Sequence, residues 1–291
     1  MYPPFNPYGF IRREHESHHW HGGSAFRTQY FNALSMCFPE LERRMIQSVR
    51  TAMATLGDHP QARHLKGPTQ EFIAQEASHI QIHSRLNAHR VNPNWPVLVD
   101  LLPKGHIAKR SWLSNLARTC ALEHLTTLLS VYMFRQPTLF NPVTPTLRDT
   151  WLWHAAEEID HRCLALDIYR VAGGGYLRRI AYFFLIVVAA KTTILAQTLT
   201  NLAHDGQLLK PRTWRDACVL FWGREGLAWF FARHLPTYLR RDFSPKDHHR
   251  EACDTALRWL QDYRGHTQSR GLDRPGARDE SPAHNTDPDL V

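Results

Sequence analysis

Two stretches of the chain concentrate side chains that hold metals and move protons. "WHAAEEIDHRC", residues 153–163, places His154, Glu157, Glu158, Asp160 and His161 within eight positions. "QEASHIQIH", residues 75–83, carries Glu76, His79 and His83. Each contains a Glu-x-x-His. Side chains three and four positions apart share one face of a helix, so His154, Glu158 and His161 point one way. Glu76, His79 and His83 fall within a sector of roughly 60°. A lone Glu-x-x-His recurs by chance, and a lone histidine on an apolar face is more often a satisfied core residue than a ligand. Two such motifs, each with an additional histidine, form a paired pattern. Carboxylates and imidazoles without thiolates are ligands for Fe or Mn, and Zn is compatible.

A bundle-core site for two metals draws one further Glu from each of two more helices. Glu42 in "FPELERRMI", with Glu40 as its competitor, serves for the first. Glu123 in "LARTCALEHLTTLLS" serves for the second, on an apolar face where an unpaired carboxylate is costly. Glu42 to Glu76 is 34 residues and Glu123 to Glu158 is 35, each the span of a helical hairpin; Glu76 to Glu123 is 47, room for a crossover through the Pro-rich 91–105 segment. The competing reading is a bundle with buried Glu–His and Glu–Arg networks, which must explain four carboxylates on four core faces.

The elements that position these residues follow from hydrophobic periodicity. Helices are expected at about 28–56, 68–90, 110–135 and 145–170. The fold class is all-α: a ferritin-like four-helix bundle with a long crossover between helices 2 and 3, plus additional C-terminal helices. The domain plan is an extended His-rich arm over 1–25, the bundle over 26–175, a helical extension over 176–263 and a disordered polar tail over 264–291. No strand alternation and no Gly-x-Gly-x-x-Gly is present.

Composition narrows the function classes. The chain has 291 residues, 43% hydrophobic, enough for a large core, and a net charge of +8. Its basic residues are scattered rather than run together, which argues against nucleic acid as a partner. Five widely spaced cysteines, none in Cys-x-x-Cys, argue against a disulfide framework and a zinc-thiolate site and fit a reducing, cytoplasmic compartment. The run "IAYFFLIVVAA" is eleven apolar residues before Lys191, short of the ~20 that span a bilayer. The segment 213–241 mixes aromatics with arginines, which fits a helix packed on the bundle or a peripheral contact with a membrane surface. Oligomeric state has no signal here.

At the level of whole blocks, "FNALSMCFPELERRMIQSVR", "FIAQEASHIQIH", "ALEHLTT" and "WHAAEEIDHRCLALDIY" resemble the bacterial family labelled predicted metal-dependent hydrolases. The resemblance covers roughly residues 15–240. Where that family often reads Gly-Glu, this chain has Leu41-Glu42, and the glutamate is kept. The resemblance implies a metal enzyme.

The expected site therefore holds two divalent metal ions, Fe favoured with Mn or Zn as alternatives, on Glu42, Glu76, His79, Glu123, Glu158 and His161. His83 and His154 are additional ligands or groups that orient the ligands. Glu157, about 100° from Glu158 on the helix, is the candidate catalytic base, or a partner for an arginine such as Arg118. The favoured reaction is oxidation of a small, apolar substrate with O₂ and an electron donor, Phe38, Phe72, Leu122 and Leu125 lining its pocket. The alternatives are hydrolysis by metal-activated water and a non-enzymatic metal-binding bundle. An open cleft over the metals favours hydrolysis; a narrow apolar tunnel favours oxygenation.

Overall fold

The computed structural model describes residues 18–101 and 111–268, and among them the protein is all-helical, with nine α-helices and no strand. They are α1 (Ala25–Leu56), α2 (Lys66–Arg90), α3 (Trp112–Arg135), α4 (Pro145–Asp160), α5 (Leu164–Val171), α6 (Tyr176–His204), α7 (Pro211–Trp222), α8 (Leu227–His234) and α9 (Arg250–Gln268). Local chemistry sets their ends. Ser24 caps α1 by accepting from the Arg27 N–H at 3.3 Å, and Gly57, at φ 55°, closes it with an N–H to the Met53 carbonyl. Ser111 caps α3 in the same way through the Ser114 N–H, and Pro145 occupies the first turn of α4.

The core is layered along the bundle axis. One apolar layer takes Phe31 and Leu34 from α1, Leu86 from α2, Leu129 and Met133 from α3, and Leu147 and Trp151 from α4. A second takes Met45 and Val49 from α1, Phe72 from α2, Leu116 and Ala117 from α3, and Leu164 and Tyr169 from α5. Glu42, Glu76, His79, His83, Glu123, His154 and Glu158 fall between the two layers on their helices. Chain order through the layers also gives direction: α1 and α4 run from the first layer to the second, α2 and α3 from the second to the first. Neighbouring α1 and α2 are thus antiparallel, as are α3 and α4, and the link from α2 to α3 joins parallel helices. That link contains the 3₁₀ turn Leu98–Leu101; residues 102–110 lie outside the described part.

Several boundaries differ from the periodicity reading. The fourth helix stops at Asp160 and restarts at Leu164, because turns at His161–Cys163 rotate the His161 side chain into the core. Part of the expected N-terminal arm is core: Trp20 and His21 are buried, Trp20 donating from Nε1 to Asn32 Oδ1 at 3.0 Å. Residues 264–268, expected in the tail, continue α9, which packs Cys253, Ala256 and Leu260 on Trp153 and Ile159; residues 1–17 and 269–291 lie outside the described part. Lys191 does not interrupt α6, which is 29 residues long and apolar enough to cross a membrane by length and composition. All five cysteines are free thiols.

Candidate metal centre

Three histidine rings, each held from behind, define the polar layer. His79 Nε2 lies 3.1 Å from Glu157 Oε2, which leaves Nδ1 facing Glu158 Oε1 at 3.6 Å and Glu76 Oε2 at 3.7 Å. His161 Nδ1 lies 3.3 Å from Glu123 Oε2, and its Nε2 faces Glu76 Oε1 at 3.3 Å and Glu158 Oε1 at 4.0 Å. His154 Nδ1 lies 2.7 Å from His83 Nε2, and its Nε2 faces Glu158 Oε1 at 3.3 Å and Glu42 Oε1 at 3.8 Å. All these residues are buried, Glu76 and His79 completely.

The backing of His154 starts from a proline. Pro39 sits inside α1 and has no N–H, so the carbonyl of Ser35, four residues earlier, lacks its helical donor. Asn87 Nδ2 takes that carbonyl at 2.9 Å, while the Ser35 hydroxyl donates to Asn87 Oδ1 at 2.6 Å. With its proton committed, Ser35 Oγ accepts from His83 Nδ1 at 2.9 Å. A neutral His83 then has only a lone pair at Nε2, so His154 Nδ1 is the donor and its Nε2 lone pair points into the centre. The same logic holds for the other two rings. Glu157 accepts from His79 Nε2 and Glu123 from His161 Nδ1, which fixes both tautomers with the opposite nitrogen turned inward.

The inward atoms form two overlapping groups, Glu42–His79–His154–Glu158 and Glu76–His79–Glu158–His161, the ligand atoms of each within 4.8 Å of one another. Both oxygens of Glu42 and Glu76, Glu158 Oε2, His79 Nδ1 and His161 Nε2 have no hydrogen-bond partner in the protein. Leaving one buried polar atom unpaired costs about 1–3 kcal/mol, and more for a charged one. So many in one place fit a cation at their centre and not a self-satisfied hydrogen-bond network.

Electrostatics agree. Burial raises Glu42 well above the usual carboxylate range, with Glu76 adding repulsion, and burial with the Glu158 charge raises Glu76. Burial would also raise Glu158, but the imidazoles facing it, His154 at 3.3 Å first and then the charged His161, hold it low. His161 is raised to about 10 against its own burial by Glu123 and Glu158. Burial lowers His83 well below its usual value and His154 to about 4, keeping both neutral. Metal-free, the cluster is held together by shared protons that a cation displaces.

Of the residues singled out by spacing, Glu42, Glu76, His79, Glu158 and His161 converge. Glu123 sits behind His161, and its Oε1 has no partner. His154 lies at the front and His83 behind it. Glu157 is engaged on both oxygens, by His79 and by Arg264 Nη2 at 2.9 Å. The arginine is thus Arg264 and not Arg118, whose guanidinium lies 5.0 Å from the Tyr182 ring. Glu40 points away and pairs with Arg43 and Arg44. Phe38 packs on the His83 and His154 rings and Phe72 on His161. Ser35, Asn87 and Arg264 escape the sequence reading. Ser35, seven before Glu42, and Asn87, four after His83, lie on the ligand faces, whereas Arg264 carries no local signal.

A model of one protein family matches residues 8–249, and its description is predicted metal-dependent hydrolase. The chain belongs to that family. No curated protein and no solved structure gives a significant match. The family assignment and the buried Glu–His groups together make the protein's function metal-dependent.

Two cavities open among these helices, and one of them reaches this centre. One of about 480 Å³ has a mixed lining, with Glu71, Gln75, Asp160, Arg162, Asp167 and Lys246 beside Leu65, Phe72 and Leu164, and reaches His161 itself. The other, of about 310 Å³ between α1, α3 and α6, is largely apolar, with Leu41, Met45, Leu122 and Ile186 in its walls. No converging residue lines it.

Proposed function

We propose that the protein is a metal-dependent hydrolase, holding two divalent cations in a ferritin-like bundle and acting on a small polar substrate that enters beside His161. The observation that carries this reading is the open cleft of mixed, charge-bearing lining that reaches His161. Glu42, His154 and Glu158 would hold one cation and Glu76, His161 and Glu158 the other. His79 Nδ1 faces both groups and joins one of them. Five buried carboxylates (Glu42, Glu76, Glu123, Glu157 and Glu158) against the Arg264 guanidinium leave four negative charges with neutral imidazoles, the charge of two divalent cations.

Bound cations would supply Lewis acidity and a water of lowered pKa. The chain does the rest. Glu123, Glu157 and His83 fix the three rings, so the lone pairs need no reorganisation. The cleft carries both signs, Arg162 and Lys246 against Glu71, Asp160 and Asp167, which suits a polar substrate that meets cations and carboxylates together. Glu157, held at both oxygens, acts as a positioning residue and not as the base.

The second reading, oxidation of a small substrate with O₂ at an iron pair, draws support from the thiolate-free Glu–His donor set and the nearby apolar cavity. Loading purified protein with redox-inert Zn²⁺ and assaying ester and phosphoester cleavage separates the two. Turnover with Zn²⁺ supports hydrolysis. No turnover with Zn²⁺ or Mn²⁺, together with rapid O₂ consumption by the Fe²⁺-loaded protein, replaces it with oxidation.

A further inference from the structure

We propose that the face built by α6, α7 and α8 binds the surface of an anionic lipid bilayer, with α6 lying in the membrane plane. Two asymmetries locate it. All ten large apolar side chains that stand exposed among the described residues lie between Leu177 and Trp229. The same region, residues 176–241, holds ten Lys and Arg against three Asp and Glu, a net +7 in a chain of +8. Exposed apolar area on this scale marks an interaction surface. Aromatic residues interleaved with arginines are the composition that settles at the lipid headgroup boundary.

Geometry decides between lying on a membrane and crossing one. The inner face of α6 is bound to the bundle along its length. Near one end buried Arg179 donates to the Arg240 carbonyl; near the other, buried Asn201 donates to the Gln29 carbonyl at 3.5 Å. The two lie 22 positions and about 33 Å apart, with Phe183 and Val187 packed into the core between them and Leu202 just beyond. To cross a bilayer, α6 would have to leave the bundle or drag in α1, whose Arg43 and Arg50 are exposed. The outward stripe of Phe184, Val188 and Leu195 instead runs parallel to the bundle surface, 48–61% exposed with its neighbour Leu185. Trp222 and Trp229, edge to face at 5.1 Å and both exposed, add apolar surface on α7 and α8. Arg212, Arg215 and Arg224 are exposed beside them. An acidic partner protein or a second copy would match less well. A copy of this chain would present the same positive charge, and the apolar surface runs the full length of a helix.

The test is co-sedimentation of the full chain with vesicles of phosphatidylcholine containing 30% phosphatidylglycerol, against pure phosphatidylcholine. The proposal expects binding to the anionic vesicles that weakens at least tenfold in Arg212→Glu/Arg215→Glu and in Phe184→Glu/Val188→Glu, and that falls as salt is raised. These positions are exposed, so unchanged far-ultraviolet dichroism and melting temperature are expected for both variants. Absence of binding to anionic vesicles at low salt overturns the proposal. So does a stable dimer that Phe184→Glu/Val188→Glu dissociates while vesicles remain unbound. The readout needs no metal, so it is independent of the hydrolase reading.

Discussion

Replacing Glu42 by glutamine separates a metal ligand from a structural carboxylate, because the two roles predict opposite signs. Both Glu42 oxygens are buried with no hydrogen-bond partner, and repulsion from Glu76 and Glu158 adds to the burial that disfavours its charge. In the metal-free protein the glutamine removes an uncompensated acid. At neutral pH the unfolded chain ionises Glu42 while the folded one holds its proton, and the glutamine removes that protonation cost, so part of it should return as stability. About 1 kcal/mol corresponds to ~2–4 °C for a domain of this size. With metal present the order reverses. Loss of a charged ligand should weaken binding by more than the roughly 10–100-fold typical of an outer group, which at saturating metal removes about 1.4–2.7 kcal/mol or more of ligand-linked stability. The assay is thermal unfolding of both proteins in chelator and in a Zn²⁺ or Mn²⁺ series. Glu42→Gln should melt at or above wild type in chelator and below it with metal. A variant that melts lower in chelator and shows an unchanged metal-dependent shift refutes Glu42 as a ligand.

Glu123→Gln should keep the metal stoichiometry and lose about 10–100-fold in affinity, since Glu123 engages His161 from behind; competition with a chromogenic chelator reads this. Asn87→Leu leaves the Ser35 carbonyl without a donor and should lower stability by about 1–3 kcal/mol in denaturant unfolding, with weaker metal binding because His83 no longer fixes the His154 tautomer. His21, stacked on Phe31, has its pKa lowered to about 4 by burial, with Arg27 adding to the shift. The unfolded chain therefore takes up a proton near pH 6.5 while the folded one does not. The His21 contribution is full above pH 6.5 and falls by about 1.4 kcal/mol per pH unit down to about pH 4. In chelator, His21→Phe should flatten the acid limb of stability against pH relative to wild type.

The helices and the ligand faces were legible because a helix writes its contacts as spacings of three and four. Glu76 and His79, Glu158 and His161 could be placed before any tertiary contact was known, and the lengths between them anticipated which helices run antiparallel. Roles within the site were less legible. Whether a histidine is a ligand or stands behind one depends on which nitrogen is engaged, and no spacing carries that. His154 lies four before the Glu of its Glu-x-x-His and His83 four after the His of its own, both on the ligand face, yet the commitment of Ser35 to Asn87 puts one at the front and the other at the back. Glu123 looked equivalent to Glu42 in type, burial and spacing, and only the rotation of His161 past the end of α4 sets it behind an imidazole. Arg264 reaches Glu157 across 107 residues, a contact set entirely by how α9 packs. The length of α6 was hidden for a simpler reason: Lys191 broke the apolar run in a linear reading but not the helix.

The central claim is that this layer of carboxylates and imidazoles is a metal centre. The most direct measurement is metal content per chain by elemental mass spectrometry after loading with Zn²⁺ or Mn²⁺ and removal of excess, for wild type and for Glu158→Ala. Glu158 Oε1 lies 3.3–4.0 Å from the inward nitrogens of His79, His154 and His161 and belongs to both ligand groups. Two ions per wild-type chain and a loss of both on substitution are expected. Wild-type protein that retains no metal, or Glu158→Ala that retains the full complement, contradicts it.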